Sequence, residues 1–550
     1  MSTIAFPCRK DTTFKRIIRI SLTFYYKYIS LALLSGAMMS SCSDSFLQKD
    51  SLTESSSSTF WQTSNDAMMA LAACYDALQS NQLYNSDQYT FGPLYMECIS
   101  DNGGHFNWSG WIEGYDVAMG IQNPSSWVFS DYWKANYEVI SRCNTLIANI
   151  DRVDMSETEK TRYKAEATVL RALIYTNLTM TYQDVPYLTE PLTLESPSKE
   201  KSKRADIVNN VITDLKACVN SLPEKADLGR LTRGAGYAIL GRLALYNEKW
   251  DEAISAYREV MKLGYSLHPK YSELFTQAGQ TSPEIIFSVR YEGPGMSEGA
   301  SFNAHWNTPG EFINGTIDLA DDYYLTDGKK TADTNYGEMN DGKLDVSKPN
   351  AAHWENRDPR LYATLFVPGM KWNGKGGEGA WYGGAAASLS TVYVMKYFDP
   401  SDTSNSWDNG QDFYVVRYAE VLLSLAEALV QKGGYDDAEV RGLIDEVRQR
   451  GDVNMPKVED VEGTGLSKEA LLEVIKHERR VELAFEGLRL FDIYRWKMLD
   501  KAVANIEKER TTLGLAYETR QYNGERDYVW PIPTAELDSN ELLEQHELWK

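Results

Sequence analysis

The chain has 550 residues, a formal net charge of −22 and a hydrophobic content of 43%. This apolar content is ample for a large core, so a disordered chain is excluded. The acidic balance argues against nucleic acids and other polyanions as partners, because neutralising phosphates requires clusters of Lys and Arg.

The first 41 residues have the pattern of a lipoprotein signal peptide. Six basic residues precede Tyr28, a mostly apolar run spans residues 29–39, and Ser40 and Ser41 come directly before Cys42. A transmembrane anchor is the alternative, but the apolar run is about half of the roughly 20 residues that a spanning helix needs. We therefore expect cleavage before Cys42 and lipidation of its thiol. Residues 42–59, rich in Ser and Thr, are predicted to form a flexible tether.

Helical periodicity dominates the body of the protein, residues 60–550, on both sides of a loop-rich middle. The predicted helices are residues 66–78, 132–150, 157–182, 207–222, 234–263, 414–432, 435–450 and 468–497. The body thus divides into a helical part (60–281) with a loop-rich insertion (84–129), a middle (282–411) with β-like runs at 284–291 and 391–398, and a second helical part (412–550).

A repeat signal lies within the first helical part. Gly241 is followed by Trp250, which opens a second helix, and then by Ala253 and Tyr257. This spacing resembles the tetratricopeptide helix-turn-helix, in which small residues let two antiparallel helices approach closely. A weaker echo runs through residues 425–438, so we expect two or three such helix pairs.

Catalytic and metal-binding patterns are weak. Acidic and basic residues alternate along two predicted helices, around Glu420 and Glu482, and we interpret them as helix-bridging salt bridges and exposed pairs rather than as the two carboxylates of a glycosidase. His477-Glu478 lacks the second histidine of a zinc protease helix. No phosphate-binding loop or nucleotide fingerprint is found, so we expect no cofactor, no metal and no enzymatic activity.

The four remaining internal cysteines carry no paired spacing. Their positions are Cys74, Cys98, Cys143 and Cys218. At most two disulfides are possible, and buried free thiols are favoured because a chain of this size needs no covalent cross-links.

Aromatic residues in the loop-rich insertion give the best functional signal. Asp101 and Asn102 precede Trp108 and Trp111 within a Gly-rich stretch. Sugar rings present apolar C–H faces and a rim of hydroxyls, so a carbohydrate site needs flat aromatic rings beside amide and carboxylate groups. This stretch supplies both. The alternative is that the two tryptophans only fasten the loop to the helices.

Several longer segments carry a family resemblance. They are Cys42-Ser-Asp-Ser-Phe-Leu47, Asn356-Arg-Asp-Pro-Arg-Leu361, Arg417-Tyr-Ala-Glu-Val-Leu-Leu423, Glu478-Arg-Arg-Val-Glu-Leu-Ala-Phe-Glu-Gly487 and Trp530-Pro-Ile-Pro533. In their order and spacing they resemble the SusD/RagB family of outer-membrane nutrient-binding lipoproteins of Bacteroidota, over nearly the whole chain. The resemblance implies a mostly α, SusD-like fold with tetratricopeptide-like helix pairs and an irregular ligand-binding region.

The same resemblance implies a function and a second set of site residues. Such proteins lie as a lid over a SusC-type TonB-dependent transporter at the cell surface and hand it oligosaccharides or, in some members, peptides. The nearest equivalents of the family's middle ligand-binding loop are Trp306 and Tyr323, with Asn303, His305 and Asn307 beside them. The expected partners are therefore an oligosaccharide, this transporter and outer-membrane lipid through Cys42, and the early aromatic loop could instead face the transporter.

Overall fold

The computed structural model describes residues 60–85, 92–105, 114–193, 197–296, 298–301, 313–372, 375–376, 390–398 and 408–550. The chain divides into two units, residues 1–62 and 63–550. Of the first unit only residues 60–62 are described, and the rings of Phe60 and Trp61 meet edge to face with centroids 5.0 Å apart. The predicted signal peptide, Cys42 and the tether lie outside the described residues.

The second unit is mostly helical, as predicted. Its helices are α1 (Ser64–Asp76), α2 (Pro93–Ile99), α3 (Tyr115–Met119), α4 (Trp127–Asn149), α5 (Glu157–Thr181), α6 (Arg204–Cys218), α7 (Arg233–Tyr246), α8 (Trp250–Met261), α9 (Tyr271–Leu274), α10 (Ile317–Asp322), α11 (Arg360–Thr364), α12 (Tyr418–Lys432), α13 (Asp437–Arg448), α14 (Val458–Val461), α15 (Lys468–Leu483), α16 (Arg489–Arg495), α17 (Leu499–Leu513) and α18 (Thr534–Ser539). Helices that follow one another in sequence pack side by side, from α4 through α5, α6 and α7 to α8, and then from α12 to α13. This nearest-neighbour stacking is typical of helical repeats.

The strands are short. They are β1 (Gly103–His105), β2 (Ile285–Val289), β3 (Ile313–Gly315), β4 (Gly337–Asn340), β5 (Lys343–Pro349), β6 (Leu365–Phe366), β7 (Lys371–Trp372), β8 (Lys375–Gly376), β9 (Tyr393–Val394) and β10 (Phe413–Arg417). One sheet has the order β1-β3-β9-β6, and three antiparallel pairs join β2 to β10, β4 to β5 and β7 to β8.

The predicted tetratricopeptide-like pair is confirmed in α7 and α8. A Cβ atom built on Gly241 would lie 2.5 Å from Cε1 of Tyr257, so the two helices approach as closely as a glycine allows. The turn between them places Glu248 at a φ of 57°. The weaker echo corresponds to α12 and α13, joined through Gly433 and Gly434, both with positive φ.

Two helix predictions are wrong in their extent. Residues 414–417 belong to β10, which pairs with β2, because this buried Phe-Tyr-Val-Val run has strong β propensity. The predicted helix 468–497 is two helices, α15 and α16, separated by Phe485 at a φ of 60° and Gly487 at 75°. Helix α17 was not predicted, since it buries only Leu499, Ala502 and Ile506.

The hairpin β4–β5 was also not predicted. Its turn residues are Asp341 and Gly342, both with positive φ, and Asp-Gly is a preferred sequence for a two-residue hairpin turn. The four internal cysteines are free thiols, as favoured: three are buried, while Cys218 is half-buried rather than buried. Over the part of the chain that the structure describes, no helix has both the length and the apolar content needed to span a bilayer.

Candidate functional site

The two aromatic loops predicted to bind ligand are attached to paired strands. Strand β1 is antiparallel to β3, with Gly103 opposite Gly315 and His105 opposite Ile313. The chain leaves β1 at His105 toward the segment that contains Trp108 and Trp111. It enters β3 at Ile313 from the segment that contains Trp306. Both loops therefore connect to the same end of one small sheet, although the three tryptophans themselves lie outside the described residues.

Close contact between these strands depends on Gly103. A Cβ atom at this position would lie 2.9 Å from the carbonyl oxygen of Asn314 and 3.1 Å from Sγ of Cys98. Any larger residue would push β1 away from β3 or from α2. The Gly-Gly sequence thus holds the two loop attachments at backbone contact distance.

Asp101 fixes the start of β1 by ion pairing. Its two carboxylate oxygens each accept a hydrogen bond from Arg489, at 2.8 Å, and Arg480 lies 3.5 Å away. Burial alone would raise the pKa of Asp101, but the two guanidinium groups outweigh it and hold the pKa well below the usual range. Asp101 is therefore a charged, internally neutralised residue.

Asn102 forms hydrogen bonds through both polar groups of its side chain and through its backbone carbonyl. Its Nδ2 donates to Glu97 at 2.7 Å, and its Oδ1 accepts from Nε of Arg480 at 3.0 Å. Its backbone carbonyl accepts from the N–H of Thr316, the residue that follows β3. These bonds tie α2, β1, β3 and α15 together behind the loop attachments.

The structure thus places Asp101 and Asn102 directly before β1, with their described contacts inside the protein. Tyr323, directly after α10, has a relative exposure of 0%, and its carbonyl accepts a hydrogen bond from Nε of Arg357. Burial raises the pKa of Tyr323 well above the usual range. Ligand contact by these three side chains stays a prediction, and their burial favours a positioning role.

The interpretation of the charged helices as salt-bridged is confirmed, but the main cluster is buried rather than exposed. Glu482 accepts hydrogen bonds from Arg360, Arg417 and Arg450, at 2.6–3.0 Å. Burial opposes ionisation of Glu482, yet these three guanidinium groups lower its pKa well below the usual range. Sequence alone could not show this, because the arginines come from three distant segments.

The zinc-like pattern at His477 corresponds to structural contacts. Nε2 of His477 lies 2.7 Å from the carbonyl oxygen of Asp322, and its ring stacks on Tyr324 with centroids 4.2 Å apart. Within the described ranges, no group of three or more His, Cys, Asp or Glu side chains could hold a metal ion.

One exposed aromatic residue near the early loop was missed. Trp127, the first residue of α4, is 62% exposed, and Ile121, just after α3, is 54% exposed. Gly120, directly before Ile121, is anchored to the C-terminal region, where Gln521 and Asn523 donate to its carbonyl. The available sequence signal was a tryptophan at a helix start after a Pro-Ser-Ser turn.

Two family models match most of the chain. One, described as the SusD family, matches residues 279–549, and the other, described as starch-binding and associating with the outer membrane, matches residues 46–245. A curated relative, SusD-like protein P25 of Formosa agariphila, is 25% identical over 533 residues, covering 92% of this chain and 95% of its own.

Solved structures agree with this assignment. A crystal structure of a SusD-like carbohydrate-binding protein from Bacteroides fragilis has 27% identity and a TM-score of 0.76, covering 88% of this chain and all of its own. Surface glycan-binding protein A from Bacteroides thetaiotaomicron, in complex with laminarihexaose, shares the fold at 18% identity and a TM-score of 0.65, covering 88% of this chain and 99% of its own. The chain belongs to the SusD/RagB family.

Proposed function

We propose that this protein is a non-catalytic lipoprotein of the outer-membrane surface that binds oligosaccharides and delivers them to a SusC-type TonB-dependent transporter. The observation that carries the proposal is the pairing of His105 with Ile313, which joins two Trp-containing loops to one end of a sheet. Carbohydrate binding is supported by the related structures, one named as a carbohydrate-binding protein and another solved with laminarihexaose.

In this proposal, Trp108, Trp111 and Trp306 supply the flat surfaces on which sugar rings stack. Asp101 and Asn102 act one layer below, since their hydrogen bonds to Arg480 and Arg489 fix the strand from which the first loop departs. A rigid support of this kind favours affinity, because a preorganised site loses less conformational freedom on binding.

The described carboxylates of the buried cluster support a binding role without catalysis. A glycosidase needs one carboxylic acid with a raised pKa and one free carboxylate on either side of the scissile bond. Glu478 and Glu482 are instead fully buried and each is neutralised by arginine. Neither has a face open to a sugar.

Membrane attachment is proposed from the sequence around Cys42 and from the family model that is described as associating with the outer membrane. Two or more acyl chains on one cysteine hold a protein stably on a bilayer, because each buried methylene contributes about 0.8 kcal/mol. The transporter is inferred from the family alone.

Native gels containing starch, laminarin or another neutral polysaccharide would test the proposal. We expect at least one polysaccharide to retard the protein, with no release of reducing ends over long incubation. Binding of casein-derived peptides without retardation by any polysaccharide would contradict it, and steady release of sugar would contradict the non-catalytic part.

A further inference from the structure

A cavity lies among the helix ends of the repeat stack. It has a volume of about 400 Å³ and is bounded by the ends of α5, α7, α12 and α16 and by the starts of α6, α8 and α15. This volume is within the range of small-molecule sites, roughly 300–1,000 Å³. The cavity shares no residue with β1, β3 or the loops attached to them.

Two cations line this cavity without a carboxylate partner. The guanidinium of Arg204 donates to Oδ1 of Asn247, the carbonyl of Tyr246 and Sδ of Met180, all of them uncharged. The ammonium of Lys468 donates to the carbonyl of Gln431 at 2.9 Å. In the described part of the chain neither cation forms a salt bridge, although acidic residues outnumber basic ones by 22 overall. Unpaired charge in a recess favours an anionic ligand.

The positive charge of Arg204 is not neutralised as that of the neighbouring Arg495 is. Burial lowers the pKa of Arg204, and the carboxylates of Glu248 and Asp184 oppose this effect, although within the described residues neither forms a salt bridge with the guanidinium and Asp184 instead accepts from the backbone N–H of Arg204. By contrast, Arg495 in the same lining is paired through both Nη atoms with Glu427. The cavity therefore contains one arginine that is neutralised and one that is available.

Two tryptophans give the cavity an aromatic character. Trp250 and Trp496 both line it and both are half-buried. Trp496 is held in place, because its Nε1 donates to Glu427 at 2.9 Å and the guanidinium of Arg495 lies 4.4 Å from its ring centroid. Fixed aromatic surfaces beside polar groups are suited to the apolar face of a sugar ring.

Three non-glycine residues that line the cavity have positive φ values. Gln183, Glu248 and Lys497, which line it, have φ values of 62°, 57° and 54°. Each lies two residues after the last residue of a helix, in the region where glycine is preferred because it has no Cβ. Helix α17 follows that preference with Gly514. Non-glycine residues with positive φ are enriched at ligand-binding sites, and three of them line this cavity.

We propose that this cavity binds a sugar acid, with the carboxylate on Arg204 and Lys468 and the ring packed against Trp250 or Trp496. A planar carboxylate matches the guanidinium fork. The amides of Gln183 and Gln431 are available to the hydroxyls. The site goes beyond the proposed function, since it would recognise a charged saccharide without the two aromatic loops.

Calorimetric titration of the purified full chain with sodium glucuronate and sodium galacturonate would test the site, with methyl glucoside as the neutral counterpart. We expect at least one uronate to bind, with an affinity that weakens as salt is raised, and the glucoside to bind at least about tenfold more weakly, as loss of a charge-assisted hydrogen bond implies. Equal affinity for the glucoside, or equal affinity for sodium acetate or an acetylated dipeptide, would overturn the sugar-acid assignment.

Substitutions of the lining residues would show whether the uronate binds in this cavity. Arg204→Gln and Lys468→Gln should each weaken uronate binding about tenfold, whereas Lys225→Gln, at an exposed lysine outside the cavity, should not. If Arg204→Gln fails to fold, Lys468→Gln tests the proposal by itself. Lys468 is exposed at the start of α15, so its replacement should leave folding intact. Unchanged affinity in Lys468→Gln would overturn the proposal. Trp108→Ala separates the two sites, since it should impair only neutral oligosaccharide binding.

Discussion

Arg417 and Glu482 lie 2.6 Å apart, Nη1 to Oε1, and both are fully buried. The first belongs to β10 and the second to α15, so one ion pair joins this strand to a C-terminal helix. Arg417 also pairs with Glu284 and Glu486. The fold brings these three carboxylates together around Arg417, which each of them shares with at least one other cation.

Replacing this arginine should therefore be severely destabilising. Arg417→Met would leave buried carboxylates short of a counter-charge, and breaking a buried pair costs about 3–5 kcal/mol. Urea unfolding followed by circular dichroism measures the change in unfolding free energy. Arg152→Met, at an exposed arginine, is the control and should change it by less than about 0.5 kcal/mol. Similar losses in both variants would contradict the central role of Arg417.

We expect stability to decline in two pH ranges, an acid limb below about pH 4 and a second limb through pH 7. Burial opposes ionisation of Glu478, but Arg360 and Arg448 outweigh it and lower the pKa to about 2. Its stabilising contribution is therefore present above the unfolded pKa of about 4.3 and lost as the pH falls toward 2. Burial raises the pKa of Glu509 to about 7. Its contribution is full below the unfolded pKa and lost as the pH rises through 7.

Melting curves between pH 2 and 8 would check both signs. We expect Tm to fall steeply below pH 4, and a smaller decline between pH 5 and 8. Glu509→Gln should flatten the decline between pH 5 and 8 and leave the acid limb unchanged. A variant curve parallel to that of the wild type above pH 5 would show that Glu509 does not carry that limb.

Gly241 gives a test of the helix pair. Gly241→Ala would place a methyl group against the ring of Tyr257, and overpacking of this kind costs about 1–3 kcal/mol. Gly442→Ala in α13 is the matched control, because nothing lies within 4 Å of its Cβ position. There, alanine should stabilise the protein by roughly 0.5–1 kcal/mol through its higher helix propensity. In thermal unfolding we therefore expect Gly241→Ala to lower Tm and Gly442→Ala to raise it.

Local patterns predicted the helices well where they were amphipathic, and Gly241 shows that small-residue spacing predicted a packing contact as well. Breaks such as the one at Phe485 were not predictable from periodicity, because the apolar pattern continues through a residue with positive φ. The burial of Asp101 and Asn102 was not predictable either. Their partners, Arg480 and Arg489, lie more than 370 residues away, and polar residues in a Gly-rich loop otherwise indicate exposure.

The proposed anchor depends on one thiol. Cys42→Ala should abolish incorporation of a clickable fatty acid and move the protein from the membrane fraction to the soluble fraction, because no acyl chain would remain to hold it. Cys218→Ala, at a half-buried internal thiol, is the control and should keep both properties. Continued labelling of the Cys42 variant would place the lipid elsewhere.

The aromatic loops should determine affinity for a neutral oligosaccharide. Truncating one well-buried aromatic anchor usually costs about 1–3 kcal/mol, so Trp108→Ala and Trp111→Ala should weaken binding by that amount while leaving Tm nearly unchanged. Affinity should depend only weakly on salt, since no charges are paired. Calorimetry on wild type, both variants and Trp306→Ala would measure this, and Trp127→Ala, at the exposed tryptophan of α4, is the comparison. Loss of affinity in Trp127→Ala alone would move the binding surface to the start of α4, while full affinity in all four would assign these aromatic residues to another contact, such as the transporter.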